Sequence, residues 1–311
     1  MSSDDAVELA VAGRTVRISN PERVYFAERG ETKLDLARYY ISVGDGIVRA
    51  LRDRPCMLHR FPKGVDAGGK VHQKRIPSGA PDWVETVRVD FPSGRHADEL
   101  CVTDVASVIW AVQMSTVEFH PWNSRRADVE RPDEWRIDLD PMPACGIDSV
   151  RAVARVAHEV LDELGAAGWP KTSGGSGLHI YVRIDPLWGF SDVRRAALAF
   201  AREVERRIPA QATTTWWRKD RDPEKVFVDY NQNARDHTIA SAYSVRGVTR
   251  ATVSTPIAWD EIDDVSPGEL TIATVPDRFA RLGDLHEGID DAPFSLAGLL
   301  EWAERDEGDG I

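Results

Sequence analysis

Apolar and polar positions alternate along much of the chain, and where the spacing lengthens to three or four residues it marks helices. Residues 7–18 alternate as a strand or hairpin about Gly13. Asn20-Pro21 opens a turn, and Glu31-Thr32-Lys33 leads into a helix over residues 34–51, with Leu36, Tyr40, Val43, Ile47 and Leu51 on one face. Residues 56–61 read as a strand, 65–69 as a loop and 84–89 as another strand. Thr103 is placed to cap a mostly apolar, hence buried, helix over 104–114, and residues 117–122 form a strand that ends on His120-Pro121-Trp122. Further on, the pattern predicts helices over 149–164 and 191–208, a strand over 226–230, a returning strand and turn over 253–262, a closing helix over 296–302 and a frayed end from 304 to 311.

Between the strand at 117–122 and the helix at 149–164 lies Arg136-Ile137-Asp138-Leu139-Asp140-Pro141. In a strand successive side chains alternate faces, so Asp138 and Asp140 point together while Ile137 and Leu139 point into the core. Two adjacent carboxylates repel unless a cation lies between them, and hard oxygen donors suit Mg²⁺ or Mn²⁺. Asp229, alternating with Val228 and Tyr230, is a third acidic candidate.

A second stretch with chemical content is Lys171-Thr172-Ser173-Gly174-Gly175-Ser176-Gly177-Leu178-His179. Its three glycines let backbone N–H groups approach an anion closely, and the following strand presents His179 at its mouth. The Gly-Lys-Ser/Thr end of a Walker loop is missing, so a glycine-rich turn is the alternative at this point. Tyr243-Ser244-Val245-Arg246 sets a guanidinium near a strand end, and Arg23 and Lys33 flank the entry to the first helix, where free N–H groups favour a phosphate.

Composition narrows the class. With 311 residues, 42% hydrophobic positions and ten tryptophans, the chain can bury a large core as one domain or two tightly joined lobes. Met1-Ser2-Ser3-Asp4-Asp5 has no basic targeting region and no apolar run is long enough to span a bilayer, so a cytoplasmic protein with no membrane partner is expected. Cys56, Cys101 and Cys145 lack any Cys-x-x-Cys spacing and suggest neither disulfides nor a zinc knuckle. The net charge of −12 is carried entirely by residues 260–311, which hold 15 Asp+Glu and 3 Lys+Arg, leaving 36 of each before them. Residues 10–80 hold 14 Lys+Arg against 7 Asp+Glu, an excess of +7 that includes the basic patch Lys70-Val71-His72-Gln73-Lys74-Arg75 and could attract phosphates.

Taken together and in this order, Glu118-Phe119-His120-Pro121-Trp122, Asp138-Leu139-Asp140, Ser173 to His179, Val228-Asp229-Tyr230 and Ala242-Tyr243-Ser244-Val245-Arg246 resemble the polymerase domain of the bacterial ligase D family, a branch of the archaeo-eukaryotic primase superfamily used in non-homologous end joining. The resemblance runs from about Asn20 to Glu304. It implies an α+β primase-polymerase fold over residues 1–311: an N-terminal α/β lobe (1–116), a catalytic core with an RRM-like sheet (117–250), and a return segment with an acidic tail (251–311).

The resemblance also implies roles. Asp138, Asp140 and Asp229 would be the catalytic carboxylates holding two Mn²⁺ or Mg²⁺ ions; Ser173, His179, Gln232 and Arg246 would bind the triphosphate, with His120 beside the incoming nucleotide; Arg23 and Lys33 would bind a 5′-phosphate across a DNA gap. The implied activity is template-directed addition of NTPs, ribonucleotides preferred, or dNTPs to DNA 3′ ends in short gaps or at breaks. A separate DNA ligase and a Ku-type end-binding protein would be partners, since the chain has no Lys-x-Asp-Gly ligase nucleophile and reads as a stand-alone polymerase or an excised domain. Ser176, Val71-His72 and His59-Arg60 depart from the lysine, aromatic pair and Lys-Arg pair of many relatives. A metal-dependent nuclease or phosphoesterase could use the same aspartates, and a non-catalytic DNA-end-binding module would need only the basic surface.

Overall fold

The computed structural model describes residues 6–91 and 93–308 and divides into two compact units. One unit comprises the described residues up to Val129 with Thr238–Thr255 and Ser266–Asp284; the other comprises Glu130–His237, Pro256–Val265 and the described residues from Leu285 onward.

In the first unit the strand Pro55–Arg60 is the centre of a five-stranded sheet. Thr116–Pro121 pairs with it antiparallel, as do Val71–Gln73 and His96–Cys101, the last of these also pairing with Thr86–Asp90. Ala6–Val11 and Arg14–Ser19 form the hairpin expected around Gly13. The helix expected over 34–51 is instead two, Lys33–Ser42 and Gly44–Leu51. Val43 leaves helical geometry at φ −109° and ψ 23°, and a Cβ on Gly44 would lie 3.3 Å from Val105 Cγ2. The apolar face therefore continues while the backbone breaks. Thr32 caps the first helix by accepting from Asp35 N. For the buried helix Val105–Gln113 the cap is Asp104, not Thr103: Asp104 Oδ1 accepts from Ser107 N at 2.9 Å, because Asp104 is the residue in extended geometry next to the helix. Tyr243, Val245, Val253, Ile272 and Val275 complete a core begun by Leu36, Tyr40, Ile47, Leu58 and Val108.

The second unit is built on a five-stranded sheet in the order Trp169–Thr172, Leu178–Arg183, Glu134–Pro141, Val226–Asp229, Ala212–Thr213. Glu134–Pro141 is antiparallel to both neighbours, and the helix Ile147–Leu164 carries the chain from it to Trp169–Thr172, one strand removed. The helix Phe190–Arg207 makes the second crossover, giving the split arrangement of an RRM-like sheet. Trp135 packs edge-on against Phe200 with centroids 4.8 Å apart, so by alternation Trp135, Ile137 and Leu139 face the helices. Glu134, Arg136, Asp138 and Asp140 take the opposite face. Gly165, at φ 69°, ends the first helix in the left-handed conformation glycine favours.

Two expectations near the C-terminus change. Residues 253–262 form isolated bridges and the short turn Trp259–Glu261 instead of a strand; Pro256 has no N–H to give to a ladder. The closing helix runs over Ala297–Gly308, beyond the expected end at 302, because Asp306 is buried beside Arg202 at 3.7 Å and Glu307 pairs with Arg195 at 2.8 Å. Of the end expected to fray from 304, residues 304–308 are thus helical, and residues 309–311 lie outside the described residues. Among the described residues no helix is long and apolar enough to cross a membrane.

Candidate active site

The polar face of the second unit's sheet has a row that crosses four strands. Lys171 pairs in register with His179, His179 with Asp138, and Asp138 with Asp229. Directly opposed residues in antiparallel strands share a face, so these four side chains stand side by side, with Asp140 two residues along from Asp138. All three aspartates are half-buried. Burial raises the Asp140 carboxyl; Arg218 and Arg221 pull it down and Asp229 pushes it up. Asn231 N donates to Asp229 Oδ1 at 2.8 Å and Gln232 Nε2 to Oδ2 at 3.2 Å, which places Gln232 against a carboxylate. At the other end of the strand the same face is neutralised internally, with Arg183 Nη1 3.0 Å from Glu134 Oε2 and Arg136 Nε 2.8 Å from Glu134 Oε1.

Ser173 organises the glycine loop from within. Its Oγ accepts from Gly175 N at 3.0 Å and Gly177 N at 3.1 Å, while Ser173 N donates to Gly177 O at 3.0 Å. Gly174 sits at φ 72°, and a Cβ on Gly177 would lie 2.4 Å from Leu139 O, so the loop backbone lies directly against the Asp138–Asp140 strand. His179 follows on Leu178–Arg183, with Nε2 3.4 Å from Asp138 Oδ1 and Nδ1 2.7 Å from Lys171 Nζ. Lys171 is fully buried, and the sequence reading had no signal for it beyond its place before the loop.

In the first unit His120 and Arg246 gather around Glu118. His120 Nε2 and His59 Nδ1 donate to the same oxygen, Glu118 Oε2, at 2.7 and 2.8 Å, while Gly247 N donates to Oε1 at 2.6 Å. Arg246 Nε is 3.8 Å from Oε2. Burial alone would raise Glu118, yet the hydrogen bonds from His120 and His59 hold it well below the usual carboxylate range. Burial lowers His120 to about 4 and also lowers His59. The result is an ionised carboxylate between two neutral imidazoles. The ligand atoms of His59, Glu118 and His120 lie within 4.8 Å of one another, a grouping that could hold a divalent ion. It was legible in part, since Glu118 and His120 share a strand face, but the pairing of His59 opposite Glu118 was not. His72 stacks on His59 with centroids 4.3 Å apart.

Arg23 and Lys33 also belong to the first unit. Arg23 is exposed and Nη1 donates to Pro62 O at 2.6 Å. Lys33 is buried, with Nζ donating to Ser19 O at 3.0 Å and to Gln113 O and Oε1 at 2.8 Å each. Burial, then Arg23 and Arg60, lowers its ammonium to about 8.

The chain is similar to known proteins over most of its length. Residues 32–286 match the family model described as LigD, primase-polymerase domain. The multifunctional non-homologous end joining protein LigD of Pseudomonas aeruginosa is 33% identical over 286 residues, covering 90% of this chain and 33% of that protein. The corresponding DNA repair protein of Mycobacterium tuberculosis is 31% identical over 287 residues, covering 89% and 37%. The chain thus spans about a third of the length of these relatives. Among solved structures, the polymerase domain of Mycobacterium tuberculosis ligase D in complex with DNA superposes with a TM-score of 0.83 at 30% identity, over 89% of this chain and 99% of that one. The chain belongs to the LigD primase-polymerase domain family and shares its α+β fold and its nucleotidyltransferase class.

Proposed function

We propose that this chain adds nucleotides to DNA 3′ ends under template direction, preferring ribonucleotides, in short gaps or at broken ends. The observation that carries the reading is the carboxylate row: Asp138 in register with Asp229 and His179, and Asp140 on the same face. The donor set suits Mn²⁺ or Mg²⁺, being all oxygen, half-buried and mutually repulsive at Asp140 and Asp229. Asp138, Asp140 and Asp229 would hold the ions, which supply Lewis-acid stabilisation of the charge developing on the transferred phosphoryl group. The protein's own part is positioning and electrostatics. Ser173 fixes the glycine loop, whose N–H groups and His179 bind the triphosphate. Gln232 steadies Asp229, Arg246 adds a cation for the phosphates, and His120 contacts the nucleotide as a neutral imidazole held by Glu118.

Exposed Arg23 would bind the downstream 5′-phosphate, and Lys33 would add its charge from behind, because the Lys33 ammonium is buried and donates to Ser19 O, Gln113 O and Gln113 Oε1, and the first N–H groups of the helix Lys33–Ser42 donate to Arg23 O, Pro21 O and Thr32 Oγ1. A separate ligase and a Ku-type end-binding protein then act on the same break. Incubation with a labelled gapped duplex, Mn²⁺ and each NTP or dNTP tests the reading: templated extension, faster with NTPs, is expected. Shortening of the strand, or a mobility shift with no extension, would overturn it.

A further inference from the structure

We propose that Lys171 is a positioning residue that fixes the ring of His179, so that its Nε2–H is presented on the carboxylate side of the sheet. The inference rests on the nucleotide-binding role given above to His179. Lys171 lies at the end of the row Lys171, His179, Asp138, Asp229 and is fully buried, an unusual place for an ammonium. Its Nζ is 2.7 Å from His179 Nδ1 and 5.1 Å from the centroid of the Tyr181 ring, whose negative face favours a cation.

An ammonium has donors and no acceptor. Facing one at hydrogen-bond distance, Nδ1 must supply a lone pair, so the ring proton of neutral His179 is on Nε2. That nitrogen is 3.4 Å from Asp138 Oδ1. The ring is thereby held at both ends, with its N–H on the carboxylate face of the sheet, where the function proposed above puts the triphosphate. The other tautomer would turn a lone pair toward the phosphate and repel it. Lys171 thus lets His179 act as a neutral donor to an anion, acting through the ring and not by touching the nucleotide.

The test uses imidazole ¹⁵N spectra of the whole chain with labelled histidine, the His179 signals being assigned by their loss in His179→Gln. In the wild type Nε2 should be the protonated nitrogen and Nδ1 the hydrogen-bonded acceptor. Lys171→Met, close in volume and suited to a buried site, should shift Nδ1 and mix the tautomers. A wild-type ring protonated on Nδ1, or unchanged His179 signals in Lys171→Met, would overturn the proposal, and the wild-type spectrum decides even if the variant fails to fold.

Kinetics supply a second arm. Lys171→Met and His179→Ala should each raise the nucleotide KM about tenfold with kcat within about threefold, and the double variant should be no worse than either alone. Additive effects would mean that Lys171 acts independently of His179. An unchanged KM in His179→Ala would instead sink the nucleotide-binding role of His179, while the spectrum would still decide what Lys171 does.

Discussion

Burial raises the Asp140 carboxyl, and against Arg218 and Arg221 the charge of Asp229 raises it further, so its ionised form is a liability to the metal-free fold. The sign follows from proton counting. A carboxyl whose folded pKa exceeds its unfolded value binds more protons in the native state, so stability falls as pH rises through that window, and the penalty is complete above the folded pKa. Asp140→Asn should therefore melt higher than the wild type at neutral pH without divalent ions, the gain vanishing in acid; calorimetry across pH checks this. The same substitution should lower kcat/KM for nucleotide addition by about a thousandfold or more, roughly 4 kcal/mol of transition-state stabilisation. Substantial extension by this variant would remove Asp140 from the catalytic set.

Lys33 behaves differently from Arg23. Truncating Lys33 leaves the oxygens of Ser19 and Gln113 without their donor, so Lys33→Ala should cost about 1–3 kcal/mol in stability while Arg23→Ala costs little. Tighter binding of a gapped duplex with a 5′-phosphate than with a 5′-hydroxyl, followed by anisotropy, should narrow as pH rises past about 8, where the buried ammonium loses its proton. It should be abolished in Arg23→Ala/Lys33→Ala, with binding to the 5′-hydroxyl duplex largely retained. Equal weakening on both substrates would point to a diffuse field in place of a phosphate site.

At the scale of elements, the glycine loop and the Asp138–Asp140 strand form one device. Gly177→Ala would force a methyl to within 2.4 Å of Leu139 O, whereas the nearest atom to a new Cβ at Gly175 is Ser173 Oγ at 3.4 Å. Gly177→Ala should thus lose at least about 2 kcal/mol of stability along with activity, and Gly175→Ala should be tolerated; thermal melts of the pair separate loop packing from loop chemistry. Much of this device was legible in the sequence. Alternation alone puts Asp138 and Asp140 on one face, and the glycines announce a close approach. Hidden from it was register: nothing local says that Asp138 faces His179 on one side and Asp229 on the other, or that Lys171 is buried at the end of that row. The break at Val43 was also invisible, since the apolar face runs through it and tertiary contact at Gly44 decides the matter. The resemblance to a family named the roles of these residues, but not the hydrogen bonds that tie Ser173 to its own loop or Lys33 to Gln113.

At the scale of the whole molecule, the chain passes between its two units at five points, after Val129, His237, Thr255, Val265 and Asp284. The first unit's core needs Tyr243, Val245, Val253, Ile272 and Val275, so a fragment ending at residue 129 should bind hydrophobic dyes and show no cooperative melt. A sharp transition in that fragment would mean the later segments are accessory. The interleaving also sets a timetable on the ribosome. From residue 129 to residue 284 another 155 residues must be added before the first core can close. At bacterial elongation speeds that is a delay on the order of 8 to 30 seconds, during which the sheet around Pro55–Arg60 has emerged with its apolar face incomplete. Synthesis of this chain therefore passes through an obligatory interval of exposure, and its yield in the cell should respond to chaperone supply more than its final stability would suggest.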